Sequence, residues 1–211
     1  MLEELVNKVF SNFEENVFNM QCLSERSILA PLLKNVAFTN HMFKNMMPVP
    51  ATNFYSVNTA VSDEDSMHYP TEFLNSIELA GLPLHILTLK VGMRKIIRRN
   101  LNPPQIINGT RCTIIKVLRN VLEVNASSGL YKHENHLIPR IILQPADTQL
   151  RFPFTGKHFL VRPCFAITIN KAKGQSLAEV GLDLRTLVFT HGMLYQMSHC
   201  PELATNSRFT F

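Results

Sequence analysis

The chain is 211 residues long, 45% hydrophobic and 18% charged, with a formal net charge of +5. That composition excludes wholesale disorder and allows a substantial buried core, in one large domain or two small ones. The positive balance favours a polyanionic partner, with nucleic acid first and a membrane surface second.

The amino terminus, from Met1 to Leu5, has neither the basic nor the apolar run of a signal peptide. Leu2, Leu5, Val6, Val9, Phe10, Phe13, Val17 and Phe18 recur at helical spacing and predict an opening amphipathic helix. Residues 27–31 read as a short buried strand stopped by Pro31, and 33–47 as a second helix. Residues 48–70 are polar and turn-rich, with Pro48, Pro50 and the acidic run Asp63-Glu64-Asp65, and predict a loop or domain boundary.

From about residue 84 the period changes to two, with Leu87, Leu89 and Val91 alternating with Thr88 and Lys90. Asn108-Gly109 is a hairpin signal ahead of a strand over 112–118, and Arg119-Asn120 turns into a strand over 121–125. A further strand is expected over 138–143. Short strands punctuated by turns predict a small antiparallel barrel. Pro145, Pro153 and Gly156 then mark a return to the α/β pattern, so the fold expected is an α/β domain interrupted by a β insertion.

The run from Phe165 to Leu177 carries the most information. An apolar, β-branched stretch ends abruptly at Asn170-Lys171-Ala172-Lys173-Gly174-Gln175 and restarts as an amphipathic segment. Open α/β sheets place ligands at the carboxyl ends of their strands, and two lysines, a glycine and an amide there suit phosphate contacts. An ordinary strand-to-helix connection with solvated lysines fits the composition equally well.

Lys90, Arg94, Lys95, Arg98 and Arg99 place five cations in ten residues with no acid. They read either as a ridge neutralising DNA phosphates or as a solvated face. Arginine on a buried strand must snorkel, or the strand must shift. Tyr69, Phe73 and Tyr131 are candidates for base stacking and equally for core. His133 and His136 are half of a metal site with no second pair nearby in sequence, so no metal is expected. The four cysteines, Cys22, Cys112, Cys164 and Cys200, are far apart and predict free thiols in a reducing compartment. Nothing approaches the about twenty consecutive apolar residues of a membrane span.

Taken in order, several blocks resemble the carboxyl-terminal half of the petite-integration-frequency (PIF-type) DNA helicases, most closely the Helitron-transposon branch. They are Arg26-Ser27-Ile28-Leu29-Ala30-Pro31, Tyr69-Pro70-Thr71-Glu72-Phe73-Leu74-Asn75-Ser76, Gly81-Leu82-Pro83 and Leu89-Lys90-Val91-Gly92. Arg99-Asn100-Leu101-Asn102-Pro103-Pro104, Asn108-Gly109-Thr110-Arg111, Ile138-Pro139-Arg140-Ile141, the 165–177 run and Val188-Phe189-Thr190-His191-Gly192 continue the series.

The resemblance implies a RecA-like second motor domain split over 1–69 and 156–211, with a small β-barrel inserted at 70–155. It implies an intracellular, nuclear protein that works on single-stranded DNA with no membrane partner, in a family that uses ATP and magnesium. Lys171, Gly174 and Gln175 would couple the nucleotide cleft to the DNA path, and His191 would lie near that cleft. Lys173 stands where the family has glutamine. Cys200 stands at the family's arginine-finger position, and cysteine has no fixed charge to replace it.

The phosphate-cradling G-x-x-x-x-G-K-[ST] loop is not found among the eight glycines. The expectation is therefore a fragment or degenerate copy of the helicase that needs a separate first motor domain and has no ATPase activity or cofactor of its own. A non-catalytic DNA-binding module and an inactive truncated product are the alternatives.

Overall fold

The computed structural model describes residues 2–19, 23–61, 68–77, 83–144, 152–173, 175 and 177–186, together with the backbone of 203–210. The amino-terminal part runs α1 (Leu2–Val9), α2 (Phe13–Asn16), β1 (Arg26–Ala30), α3 (Leu33–Met46), β2 (Thr52–Tyr55), β3 (Val57–Ala60) and α4 (Thr71–Ser76). The middle is all strand: β4 (Ile86–Leu89), β5 (Arg94–Ile97), β6 (Arg111–Val117), β7 (Val121–Ala126), β8 (Asn135–Pro139) and β9 (Ile141–Leu143). The chain then continues through β10 (Phe154–His158), β11 (Val161–Pro163), β12 (Ala166–Thr168), α5 (Ile169–Ala172), β13 (Leu177–Leu182) and β14 (Leu203–Thr210).

β1 sits inside a parallel sheet of order β12-β1-β13-β14. Its Ile28, Leu29 and Ala30 are buried, as a strand covered on both faces requires. α1 lays Leu5, Val6 and Val9 against this sheet. A Cβ on Gly181 would meet Val9 Cγ2 at 2.7 Å, so the helix approaches β13 this closely only because the residue is glycine. Asn40 of α3 takes the place of a neighbouring strand at the β12 edge. Its amide nitrogen donates to the Ala166 carbonyl (2.8 Å), and its Oδ1 accepts from the Ala166 N–H (3.1 Å). Phe10, Phe13, Phe43 and Phe165 fill the space between, with ring centroids 4.8–6.2 Å apart.

The expected continuous opening helix is broken. Asn12 adopts a left-handed conformation (φ 51°, ψ 47°), which asparagine tolerates better than most residues, and this separates α1 from α2. The stretch expected to be loop contains β2 and β3. The expected strand over 138–143 divides into β8 and β9 at Arg140, whose N–H turns to the Asn120 carbonyl (3.1 Å).

The middle strands form an antiparallel sheet of order β11-β5-β6-β7-β8. The expected barrel is not closed among the described residues, because no pairing joins β8 to β11. Separate small sheets, β3-β10-β9 and β2-β4, stand beside it. Pairing also crosses the two expected boundaries of the insertion. β2 precedes residue 69 yet pairs with β4, β10 runs across residue 155 and pairs with both β3 and β9, and β11 follows residue 155 yet extends the antiparallel sheet along β5.

Candidate nucleic-acid interface

The five-cation segment does not form one surface. β5 lies inside the antiparallel sheet, paired with β11 on one side and β6 on the other. Both its faces are covered, since Ile97 joins the main core cluster and Ile96 the cluster around Leu29 and Ile167. Arg94 and Lys95 are therefore 1% and 0% exposed and present no charge to a phosphate. Arg94 Nη2 donates to the Ser24 carbonyl at 3.1 Å. Lys95 Nζ has no hydrogen-bond partner among the described residues.

Lys95 faces Cys112 across the β5–β6 register, and Cys164, which follows β11, is also buried. Burial pushes the Lys95 ammonium down to about 7, with Cys164 and Cys112 acting the other way and Lys44 in the same direction as burial. Burial likewise raises both thiols. Lys90 donates from Nζ to the Met47 carbonyl at 2.9 Å. Arg98 is half-buried and Arg99 exposed, at the end of the segment where the chain leaves the sheet.

At that end charge converges from three elements. Burial lowers the Arg98 guanidinium, and Arg162 of β11 lowers it further. Lys171 of α5 is lowered by burial and then by Arg98 and Arg162. Like charges depress one another, and a bound polyanion removes that repulsion. Arg162 was missed by sequence reasoning. Its signal was its place as the exposed middle residue of Val161-Arg162-Pro163, but only the β11–β5 pairing brings it beside Arg98.

Beside this cluster lies a groove of about 540 Å³ whose walls include Lys171, Lys173, Gln175, Gly109, Ile107 and Leu130. One wall is α5 and the residues that follow it, at the carboxyl end of β12. The other is the pair of loops at one end of the antiparallel sheet. Gln175 joins them, donating from Nε2 to the Gly109 carbonyl at 3.3 Å, while its own N–H is held by the Ala172 carbonyl at 3.0 Å. Its Oε1 is buried with no hydrogen-bond partner among the described residues. Lys171 and Lys173 are exposed. Gly109, in the hairpin signalled by sequence, has φ +93°, a conformation other residues reach only with strain.

Gly174, His191, Cys22 and Cys200 lie outside the described residues. Tyr69 stacks between Phe152 (centroids 3.7 Å apart, nearly parallel) and Phe73 (5.8 Å), while Phe73 and Phe152 are tilted to each other at 6.2 Å. That satellite cluster packs α4 and leaves Tyr69 no free ring face on the Phe152 side. His136 Nε2 lies 4.0 Å from Glu134 Oε2. No group of three or more His, Cys, Asp or Glu side chains gathers at one point among the described residues. No helix among them is long and apolar enough to cross a membrane.

Residues 72–117 match the family model described as DNA helicase Pif1, 2B domain. That stretch runs from α4 through β6 and includes the loop bearing Ile107 and Gly109. No curated protein sequence matches the chain. Among solved structures, the chain is similar to a Pif1 helicase described in the unwinding of forked double-stranded DNA by two coordinating Pif1 helicases. It is 16% identical with a TM-score of 0.62, and the match covers 99% of this chain and 46% of that one. Pif1 helicase from Candida albicans is 17% identical at a TM-score of 0.62, covering 99% and 52%. Pif1 helicase from Bacteroides, solved with ADP-AlF3 and single-stranded DNA, is 16% identical at 0.61, covering 96% and 48%.

The fold is thus similar to part of the Pif1 helicase fold. The chain spans about half the length of these solved relatives.

Proposed function

We propose that this chain is the second motor domain and β insertion of a PIF-type DNA helicase of the Helitron branch. In this reading its own activity is to hold single-stranded DNA in the groove between the segment after α5 and the antiparallel sheet. The observation that carries the proposal is the convergence of Lys171, Lys173 and Gln175 with the loop around Gly109. Arg98, Arg99 and Arg162 extend the same positive surface. Each phosphate these groups neutralise releases counterions, so binding should be strong at low salt and fall steeply as salt rises.

The arrangement also suits coupling. β12 belongs to the parallel sheet, α5 follows it directly, and Gln175 then touches the antiparallel sheet. A displacement at the carboxyl end of β12 would therefore shift the lysines that grip the strand. Gly174 and His191 are assigned to this coupling by family resemblance.

The residues present do not by themselves fit ATP and magnesium. The sequence has no G-x-x-x-x-G-K-[ST] loop, and the described side chains offer no acidic cluster for the metal. A separate first motor domain would have to cradle the nucleotide.

The test is fluorescence anisotropy with a labelled oligothymidine across a salt series. The proposal requires binding whose log–log slope becomes shallower by about one for each of Lys171→Ala and Lys173→Ala. Absence of binding at low salt, or a slope indifferent to both changes, would contradict it. Mixing with a separate first motor domain should give DNA-stimulated ATPase for Cys200→Arg, which supplies the missing finger, and far less for the unaltered chain.

A further inference from the structure

The groove has an apolar wall that phosphate contacts leave unexplained. Leu130 is 94% exposed and Ile107 is 47% exposed, and both line it. Single exposed leucines are ordinary. Here, however, two apolar tips come from separate turns, β5–β6 and β7–β8, and line one groove together with two lysines.

Both tips stand on fixed backbone. Ile107 N–H donates to Thr110 Oγ1 (3.2 Å), Thr110 N–H returns to the Ile107 carbonyl (3.1 Å), and Gly109 N–H is held by the Ile97 carbonyl (2.9 Å). Below Leu130, the Arg111 N–H donates to Ser128 Oγ (2.9 Å), and the Ser127 N–H donates to the Arg111 carbonyl (2.7 Å). Gly129, at φ +90°, turns the chain out at the tip. Because the backbone of these turns is already hydrogen-bonded, contact costs the rotamer freedom of the two side chains but little backbone entropy.

We propose that Leu130 and Ile107 form an apolar clamp on the faces of unstacked nucleobases, while Lys171 and Lys173 hold the flanking phosphates. This rests on the reading of the groove as a single-strand site and deepens it. The ligand must be anionic along one edge and apolar along the other. A single strand with its bases splayed has that character, because every base offers a flat apolar face. In a duplex the bases are stacked and their faces closed, so the clamp discriminates for single strands without reading sequence.

The experiment compares an oligothymidine with an abasic oligodeoxyribose phosphate of equal length and charge. The unaltered chain and the double variant Leu130→Ala, Ile107→Ala are each titrated with both by anisotropy at one salt concentration. The clamp predicts that the double variant binds oligothymidine about fivefold more weakly than the unaltered chain, the expected effect of losing contact area at two aliphatic side chains. It also predicts unchanged binding to the abasic strand and an unchanged salt slope.

Equal affinity of the two proteins for oligothymidine would overturn the clamp and leave phosphate binding standing. An equal loss on both strands would also overturn it, by showing that the change acts through the fold. If the unaltered chain binds neither strand, the single-strand reading itself falls and the clamp with it. Both substituted residues are exposed, so the variant should keep the parent melting temperature, which circular dichroism checks.

Discussion

Two cationic stretches of this chain look alike in sequence and differ completely in place. Met93-Arg94-Lys95-Ile96-Ile97 puts two adjacent cations on a strand, and Asn170-Lys171-Ala172-Lys173 puts two on a helix end and its exit. The first pair is wholly buried and the second exposed. What separates them is the company each element keeps. β5 has a strand on either side and a core cluster on either face, whereas α5 is a single turn at the rim of the parallel sheet. A run of positive charge therefore predicts a binding surface only where the element leaves the sheet, as Arg98 and Arg99 do.

The comparison is most sharply broken or sustained by replacing Lys95. Its ammonium is buried with no hydrogen bond, which is costly, and a thioether of similar volume has no such requirement. Lys95→Met is expected to stabilise the fold by about 2–4 kcal/mol in urea unfolding. DNA affinity should not change. Destabilisation would show that Lys95 holds a partner that the described residues do not include.

The same residue sets a pH dependence. Its folded pKa is pushed down to about 7 from the ordinary lysine value of 10.5, so between these values the unfolded chain carries a proton that the folded chain does not. Stability should therefore rise with pH from about 7 towards 10 and, for this group, level off below about 7. Urea midpoints at pH 7 and pH 9 read the effect, by about 1–3 kcal/mol. The rise should vanish in Lys95→Met.

The exposed pair should behave oppositely. Lys171→Ala with Lys173→Ala is expected to change stability by less than about 0.5 kcal/mol, as exposed substitutions do. The salt slope should become shallower by about two. The smallest effect is expected from Arg162→Ala, which removes one cation from the cluster. The slope should become shallower by about one, and repulsion on Arg98 and Lys171 should be relieved with little change in melting temperature.

The parallel sheet was legible in β1 and β12, which are continuous apolar runs; β13 was read only as an amphipathic segment, and β14, with Thr205-Asn206-Ser207-Arg208 in its middle, has no such run. Ile28-Leu29-Ala30 and Phe165 to Ile169 could hardly be placed elsewhere. β2 and β3 were not legible. Thr52-Asn53-Phe54-Tyr55 and Val57-Asn58-Thr59-Ala60 have much of their surface exposed, so little apolar alternation marks them. β11 is only three residues long, and its pairing with β5 follows from tertiary packing. The closed barrel was inferred from strand spacing, which cannot distinguish an open sheet from a closed one, and from the family resemblance.

The site was half legible. Lys171, Lys173 and Gln175 were marked by their place after a buried strand. Arg162 depended on a pairing that sequence did not show, and Ile107 and Leu130 belong to a residue class that normally signals core. The burial of Arg94 and Lys95 contradicts the rule that cations seek water, so only the structure could place them.

The most direct test of the account is the salt dependence of oligothymidine binding in three proteins: the unaltered chain, Lys171→Ala with Lys173→Ala, and Arg94→Met with Lys95→Met. The account predicts a shallower log–log slope for the loop pair and an unchanged slope for the strand pair. A slope reduced by the strand pair and untouched by the loop pair would place the DNA on β5 and contradict the assignment of the groove.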